Sequence, residues 1–551
     1  MEVTSAEKVF EQIYKERIFS IDLETSGLDV HKDSIEYVSL ATKKLQTAFE
    51  YWEYQPQLKK LLSQKDLIAV FHNAKFDLQF LRKFSFDVKN RIMDTMILAW
   101  LLDENRKKYG LKKLVREFLP DNEVIEFDEA NSLFSKGMEY YAALDARNTY
   151  DLYVKLYAEI EEENLTKPYW EIESPIIRII TNMEYDGIRL NERYVKNILV
   201  KIRAEIEQIL NILKNKYGDI NYDSPTQLAE LLFKKMKFSP IMQTKTGYST
   251  NQETLEVLYA RTKHEILKYL LRLRKLYKLE STFLSPLSQY GNEVHPSYSQ
   301  TGTVTGRFSS SSPNFQNMPR GDELPEYKVR SAFIPRPGHK FICIDFSQIE
   351  LRMLAHYSAD PLLREAYIKG KDIHQETADA CKCSRVSAKC LNFGVVYGMG
   401  IKTLAKKLGT SYEEAQRFHS RFFNNYKGIK RLYQGMKDVL AKRNWIRLLS
   451  GRKRRFNNLT DDYRDVSRAV NSLIQGSSAD LMKISMVKLH EEFPDIKIIG
   501  QVHDEILIEV PEDKAEELAP KYVEIMENAV KLAVPVKAKY VICNNSWQEA
   551  K

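Results

Sequence analysis

Two stretches of this chain constrain each other more than any others do: Lys340–Ser358, KFICIDFSQIELRMLAHYS, and Ile496–Val510, IKIIGQVHDEILIEV. In the first, Phe341 to Phe346 is a short apolar run with β-branched Ile342 and Ile344 alternating, which predicts a strand with Asp345 near its end. Gln348 to His356 then takes helical spacing, with Ile349, Leu351, Met353 and Leu354 apolar and Glu350 about one turn past the aspartate. In the second, two β-branched runs flank His503, Asp504 and Glu505, a hairpin with carboxylates at its tip. An ionised carboxylate at the end of an apolar strand costs desolvation energy unless a cation faces it. Two such carboxylates brought together repel unless divalent ions lie between them, the arrangement that two-metal phosphoryl transfer requires. Each motif alone also has a plain reading, as turn chemistry or as the cap of the next helix. The material between the motifs and a second carboxylate set decide against it.

The length, 551 residues, implies two or more domains. Hydrophobic residues at 43% and charged residues at 29% fit a globular protein, and no apolar window of about eighteen residues predicts a membrane span. The first residues, MEVTSAEKVFEQIY, lack the apolar core of a signal peptide. The five cysteines (Cys343, Cys381, Cys383, Cys390, Cys543) form no disulfide framework, and Cys381–Lys382–Cys383 has no second pair to make a zinc site. A net charge of +8 has the sign expected for a polyanionic partner.

Residues 1 to about 165 read as an α/β unit. Ile18–Leu23 is a strand bearing Asp22, with Glu24 two residues on and on the same side. Leu67–His72 is a second apolar run, followed by Asn73-Ala-Lys-Phe-Asp77 entering a helix. Asp94 and Thr95 open another helix, and Met138–Tyr153 is helical with Tyr141 and Asp145 one turn apart on one face. From Asn191 to Tyr290 the pattern is long, helical and rich in Lys and Glu. Within it, Lys268–Lys278 is either a solvated face or a grip on duplex phosphates. His295–Arg320 is rich in Thr, Ser and Asn, a composition that donates to phosphate, sugar and base edges.

The segments of the first domain resemble the three motifs of the DEDD-type 3′→5′ exonucleases. The resemblance implies that Asp22, Glu24, Asp77 and Asp145 bind two divalent ions and that Tyr141 orients the attacking water. Further along, Thr-Gly-Arg307 followed by Pro313-Asn314-Phe-Gln316-Asn317 resembles family A DNA polymerases. Asp345–Arg352 is similar to that family's motif A, Arg385–Gly398 to its motif B, and Gln501–Glu505 to its motif C. The resemblance covers Ile18 to Trp547, and a separate 5′-nuclease domain is expected to be absent. The fold it implies is an α/β ribonuclease H-like exonuclease domain (1–165) followed by an α+β polymerase domain (166–551) of right-hand architecture. Its thumb would span about 190–290 and its fingers about 359–469. The palm would take 166–189, 291–358 and 470–551.

Motif B has a physical basis beside the resemblance. Positions four apart advance only about 40° around a helix, so Arg385, Lys389, Phe393 and Tyr397 share one drifting face, two cations then two aromatics. By resemblance, Arg385 and Lys389 take the incoming nucleotide's phosphates, and His374 and Gln348 stand beside them. Phe393 packs on the sugar and base and, lacking a phenol, predicts poor use of dideoxynucleotides. Tyr397 and Gly398 lie at the templating position. Asp345 and Asp504, with Glu505 alongside, hold two Mg²⁺ ions, for which Mn²⁺ could substitute, and Lys389 stabilises the leaving pyrophosphate. Glu350 blocks a ribose 2′-hydroxyl. Arg307, Asn314, Gln316, Asn471, Gln475, Gln501 and His503 line primer and template, and Gly451–Phe456 (GRKRRF) leans towards template phosphate. The chain departs from the family in three places: only eleven residues separate His374 from Arg385, Ser467 stands where arginine is frequent, and Phe346 stands where tyrosine is commoner.

The expected partners are primer–template DNA and deoxynucleoside triphosphates, with the chain a monomer. The expected location is cytoplasmic and nucleoid-associated if bacterial, or the host cytoplasm if phage-encoded. Three rivals remain: a nuclease with a non-catalytic DNA-binding C-terminal region, a single-subunit RNA polymerase, disfavoured by Glu350 and the proofreading motifs, and a reverse transcriptase, disfavoured by His-Asp-Glu in motif C.

Overall fold

The computed structural model describes residues 3–127, 134–245, 247–457, 459 and 463–550, with no side-chain description for 134–136. The first unit is built on a five-stranded sheet in the order β3-β2-β1-β4-β5. Its strands are β1 (Ile18–Thr25), β2 (Ile35–Ala41), β3 (Gln46–Glu50), β4 (Ile68–Phe71) and β5 (Arg91–Asp94). β1, β2 and β3 run antiparallel, while β4 and β5 join β1 in parallel. The helices that position its site are α1 (Ala74–Lys83), α2 (Thr95–Leu102), α3 (Leu111–Phe118) and α4 (Phe134–Glu162). α4 packs across β1, β2 and β3. It extends beyond the stretch read from Met138–Tyr153 because its apolar positions continue through Leu156 and Ile160, both fully buried.

The helix α5 (Ser174–Asp186) joins the two halves. Ile177 belongs to the core of the first unit, while Ile176, Ile179 and Ile180 belong to the larger core that runs through the rest of the chain. One helix serving two cores on opposite faces needs apolar residues nearly all round, which its sequence SPIIRIITNM supplies. Two long helices follow, α6 (Glu192–Tyr217) and α7 (Glu265–Leu279), packed on each other. On α7, Arg272 pairs with Glu205 and Glu326, Lys275 lies 3.7 Å from Glu323, and Arg274 is half-buried. Much of that basic run is therefore spent inside the protein.

A four-stranded antiparallel sheet organises the second half. Its strands are β6 (His339–Phe346), β7 (Lys497–Val502), β8 (Glu505–Pro511) and β9 (Ala538–Cys543), in the order β7-β8-β6-β9. β6 lies in the middle, which explains its unbroken apolar run from Phe341 to Ile344. The helices α8 (Ile349–Ser358), α9 (Ile373–Cys381) and α10 (Arg385–Val396) follow β6, and α11 (Tyr463–Glu492) packs on α8.

The cations of the basic cluster at Gly451–Phe456 are paired with acids of the chain itself, which weighs against the expected lean towards template phosphate. Arg452, Lys453 and Arg454 are buried, on a hairpin of Trp445–Arg447 and Lys453–Arg455. Arg454 and Arg455 bracket buried Glu104 at 3.0 and 3.1 Å, Lys453 pairs with Glu163, and Arg452 lies 3.0 Å from Asp480. A run of cations in a loop resembles a phosphate grip in sequence, but two of its acidic partners, Glu163 and Glu104, lie 290 and 350 residues away along the chain, and Asp480 lies 28 residues away on α11. The thiols of Cys343, Cys381, Cys383, Cys390 and Cys543 form no disulfide. Among the described residues no helix is long and apolar enough to cross a membrane.

Candidate active sites

The first centre grows from β1, where Asp22 and Glu24 stand two residues apart on one face, opposite Ser39 and Tyr37 of β2. Asp77 sits in the first turn of α1, and its Oδ1 accepts the Leu23 backbone N–H at 3.1 Å, which pins it against β1. α1 starts at this point for a local reason. Asn73 adopts a left-handed conformation (φ 68°), and Asp94 at the end of β5 accepts the backbone N–H groups of Asn73 and Ala74 at 3.1 and 2.8 Å. Tyr141 and Asp145 arrive one turn apart on α4, both buried.

Burial raises all four carboxyl pKa values. Asp22 and Asp77 are held well above the usual range, Glu24 is pushed up to about 7 and Asp145 to about 6. Like charge from neighbouring acids adds to the shift at Asp22, Glu24 and Asp77. Among the described residues a single cation, Lys112 of α3, works against the shift at Asp22, Glu24 and Asp145. This is an oxygen-only donor set short of positive charge, which suits a hard divalent ion. No three acidic, histidine or cysteine side chains among the described residues already stand at ligating distance from one point, so ligation would draw the carboxylates together.

The second centre lies at the end of the palm-like sheet. Asp345 of β6 is directly opposite Glu505 of β8, and the Phe346 backbone N–H donates to the Asp504 carbonyl at 3.0 Å. The β7–β8 turn is tight, with His503 left-handed at φ 53°, and this aligns Asp504 with Asp345. Asp345 reaches solvent but lies in a half-enclosed cleft. Its pKa is pushed up to about 6 by desolvation, with Glu505 adding to the shift and Arg320 and Arg330 opposing it. Asp504 is pushed up to about 7 for the same first reason, with Arg307 opposing and Glu350 and Asp345 adding.

The remaining sequence-predicted residues divide into those joined to this centre and those at a distance from it. Arg307 donates to buried Glu350 at 2.6 Å and lies 4.0 Å from Asp504. Gln316 donates to the Gln501 carbonyl at 2.8 Å, and its Oε1 accepts the His503 backbone N–H at 2.9 Å. Arg307, Gln316, Gln501, His503 and Asp504 thus line one small cavity. Asn471 of α11 donates to the Val396 carbonyl at 3.0 Å, at the end of α10. Gln475 lies one turn further along α11, half-buried, and Asn314 is exposed. Glu505 is buried and occupied: its carboxylate accepts from the Trp547 indole at 2.5 Å and faces Arg330 at 3.4 Å.

On α10, Arg385 and Lys389 are exposed and Phe393 is half-buried. Arg385 lies 2.8 Å from Asp372, its partner in this structure. The rings of Phe393 and Tyr397 stack at 6.2 Å, and the Tyr397 phenol, its pKa raised by burial first, also feels the charges of Glu350 and Asp504, which sets the end of the helix beside the palm centre. Gly398 has φ 63°, and a Cβ there would lie 2.9 Å from that of Ser467, so this turn takes glycine at position 398. His374 is buried, its Nδ1 3.0 Å from the Asn392 amide and its Nε2 3.5 Å from Gln348. Burial lowers its pKa first, and Arg385 and Lys389 lower it further. Sequence reasoning missed Lys112, Arg330, Asn392 and Trp547. Each becomes visible only when distant segments meet, and no local spacing marks them.

The comparisons follow the same division. The model of DNA polymerase family A matches residues 192–549 and the 3'-5' exonuclease model matches residues 2–161. The chain belongs to DNA polymerase family A and carries a 3'-5' exonuclease domain. It is 34% identical to DNA polymerase I of Borreliella burgdorferi over 98% of this chain and 63% of that protein. It is 33% identical to DNA polymerase I of Treponema pallidum over 95% and 55%, and 37% identical to the thermostable DNA polymerase I of Thermus filiformis over 73% and 50%. The chain therefore spans between half and two thirds of the length of these relatives. A solved structure, the POL domain of Pol1 from M. smegmatis in complex with DNA primer-template and dNTP, superposes with a TM-score of 0.90. It is 25% identical and covers 100% of this chain and 99% of that one.

Proposed function

We propose that the chain is a template-directed DNA polymerase with a working 3′→5′ exonuclease, the first activity centred on Asp345 and Asp504, the second on Asp22, Glu24, Asp77 and Asp145. The observation that carries this reading is the presence of two separate carboxylate centres on two separate sheets, one pinned by the Leu23 N–H to Asp77 bond and the other by the Phe346 N–H to Asp504 carbonyl bond. Family membership and the likeness to a polymerase domain captured with primer-template and nucleotide support it. The proposed boundary falls near residue 165, with α5 as the shared strut.

In the polymerase centre, divalent ions, of which Mg²⁺ suits the oxygen donors, would be held by Asp345 and Asp504. They would activate the primer hydroxyl and neutralise the leaving pyrophosphate. The chain's own residues do the rest. Arg385 and Lys389 present cations to the triphosphate, and Arg385 exchanges Asp372 for phosphate as the nucleotide arrives. Phe393 offers its ring to the sugar and base. Glu350, held by Arg307, crowds the sugar's 2′ position. Gln316, Gln501, His503, Asn471 and Gln475 contact the newest pair, whose minor-groove acceptors are nearly the same for all correct pairs. In the exonuclease centre, Tyr141 orients water towards the terminal phosphate. Glu505, engaged by Trp547 and Arg330, supports the turn that carries Asp504.

The test is extension and trimming of a labelled primer–template with a paired or mismatched 3′ end, in Mg²⁺ and deoxynucleotides. Wild type should trim the mismatch and then extend. Asp504→Ala should only shorten the primer, with extension down about 10³-fold or more, the scale of losing a principal electrostatic group. Asp22→Ala should extend paired ends without trimming. If Asp504→Ala still extended as wild type does, the C-terminal region would be a DNA-binding platform and the polymerase reading would be wrong.

A further inference from the structure

The exonuclease centre holds a side chain that neither its motifs nor the family comparison assigns. Lys112 lies on α3, in a stretch (LKKLVREF) that reads as an ordinary amphipathic helix. Its ammonium donates to the Tyr141 hydroxyl at 2.7 Å, lies 4.2 Å from the centre of the Tyr141 ring and 3.7 Å from Asp145 Oδ2. Only 20% of its side chain remains exposed, and Asp145 retains 9%.

We propose that Lys112 is the positioning residue of the exonuclease centre: it presets Tyr141 and stands as a resident cation against Asp145. This rests on the exonuclease reading above and adds a residue to it. The hydrogen-bond directions carry the first half. An ammonium can only donate, so the Tyr141 oxygen accepts from Lys112. The phenol's own hydrogen is thereby turned away from Lys112, while the same ammonium faces Asp145 at 3.7 Å. Lys112 thus fixes the Tyr141 oxygen on the side of the centre where Asp145 stands. When Asp145 is drawn into ligation, Lys112 still holds that oxygen. A nearby water is then met by a phenol whose oxygen is already placed and whose hydrogen is free to turn to it.

Charge carries the second half. Asp22, Glu24, Asp77 and Asp145 share one region, and Lys112 is the cation that acts on three of them. It keeps these carboxylates assembled in the ion-free chain. It also repels a divalent ion at the same acids, so the wild-type centre should bind ions less tightly than its acids alone would allow.

The experiment uses the full chain with Lys112→Met, which keeps length and loses charge and donor, and with Lys112→Arg. Single-turnover trimming of a mismatched primer end is measured at pH 8 in Mg²⁺, with primer extension as the control for folding. Mn²⁺ binding is followed by electron paramagnetic resonance, with the Asp22→Ala isotherm subtracted to isolate this centre. Lys112→Met should slow trimming about 10- to 100-fold, the scale of losing a residue that orients a site from behind, and Lys112→Arg should recover most of it. Mn²⁺ should bind Lys112→Met about three- to tenfold more tightly, because a like charge has gone. A merely structural lysine would weaken ion binding and trimming together. The inference is overturned if Lys112→Met trims like wild type, or if its Mn²⁺ affinity is unchanged or weaker. If wild type neither trims nor binds Mn²⁺ differently from Asp22→Ala, the exonuclease reading falls and takes this inference with it.

Discussion

The two carboxylate centres share a ligand chemistry but differ in how their charge is balanced. Around Asp22, Glu24, Asp77 and Asp145, Lys112 is the one cation among the described residues that opposes the shifts; burial lifts every acid, and like charge adds at Asp22, Glu24 and Asp77. Around Asp345, Asp504, Glu505 and Glu350 there are three arginines. Arg307 bonds Glu350, Arg330 faces Glu505 at 3.4 Å and Arg320 faces it at 3.8 Å. Guanidinium partners offset part of the repulsion in the second centre, where desolvation still lifts Asp345 to about 6 and Asp504 to about 7. A centre with one lysine stores repulsion that only ions, or protons, relieve. Under the proposed function, this difference suits a palm that takes nucleotide and template in a fixed geometry, and an exonuclease site that takes a frayed end.

The largest expected effect tests whether the centres stand on one frame. Glu104, buried beside the first domain's core, accepts from Arg454 and Arg455 of the hairpin. Glu104→Ala leaves Arg454, itself buried, without its carboxylate, a cost of about 3–5 kcal/mol for a broken buried pair. Differential scanning calorimetry should show the exonuclease domain melting apart from the rest, and mild proteolysis should cut near residue 165. A single unshifted transition would mean the domains are held by α5 alone. A smaller effect belongs to Arg307→Ala, which releases Glu350 and leaves Asp504 without its nearest cation. Extension kcat/KM should fall about 10- to 100-fold, in keeping with about 1.5–3 kcal/mol for a charged hydrogen bond. Trimming of single-stranded DNA should not change. An equal fall in both activities would mean that the centres do not work independently.

The sequence carried most of what is local. β1, β6 and the β7–β8 hairpin follow from period-two alternation, α10 from its four-residue spacing, and the carboxylates from their places at strand ends. The start of α1 was visible in outline, but its cause was not, because Asp94 reaches Asn73 and Ala74 across about twenty residues. Long-range charge pairing was the least legible feature. GRKRRF has the composition of a phosphate grip, yet its cations answer Glu104, Glu163 and Asp480. Lys112 was hidden for the same reason. A lysine on an amphipathic helix is ordinary until α4 brings Tyr141 and Asp145 beneath it.

The smallest effect bears most directly on the comparison. A carboxyl whose folded pKa lies above its unfolded value of about 4 binds more protons in the folded chain, so stability falls as pH rises between the two values. The penalty is absent below about pH 4, grows through the interval and is complete above the folded value, about 7 for Glu24 and about 6 for Asp145. Without divalent ions the exonuclease domain should therefore melt at a lower temperature at pH 8 than at pH 6, and Mg²⁺ should restore more at pH 8. Asp22→Asn removes one charge from the centre with a single lysine. At pH 8 without ions it should raise the apparent Tm by about 2–4 °C, the shift that about 1 kcal/mol gives a domain of this size, and should flatten the pH dependence. Asp345→Asn, in a cleft already supplied with Arg320 and Arg330, should change Tm less. Equal gains from the two substitutions would show that the arginines of the palm do no more for its acids than Lys112 does for those of the exonuclease. The contrast between a partly balanced centre and an ion-dependent one would then have to be given up.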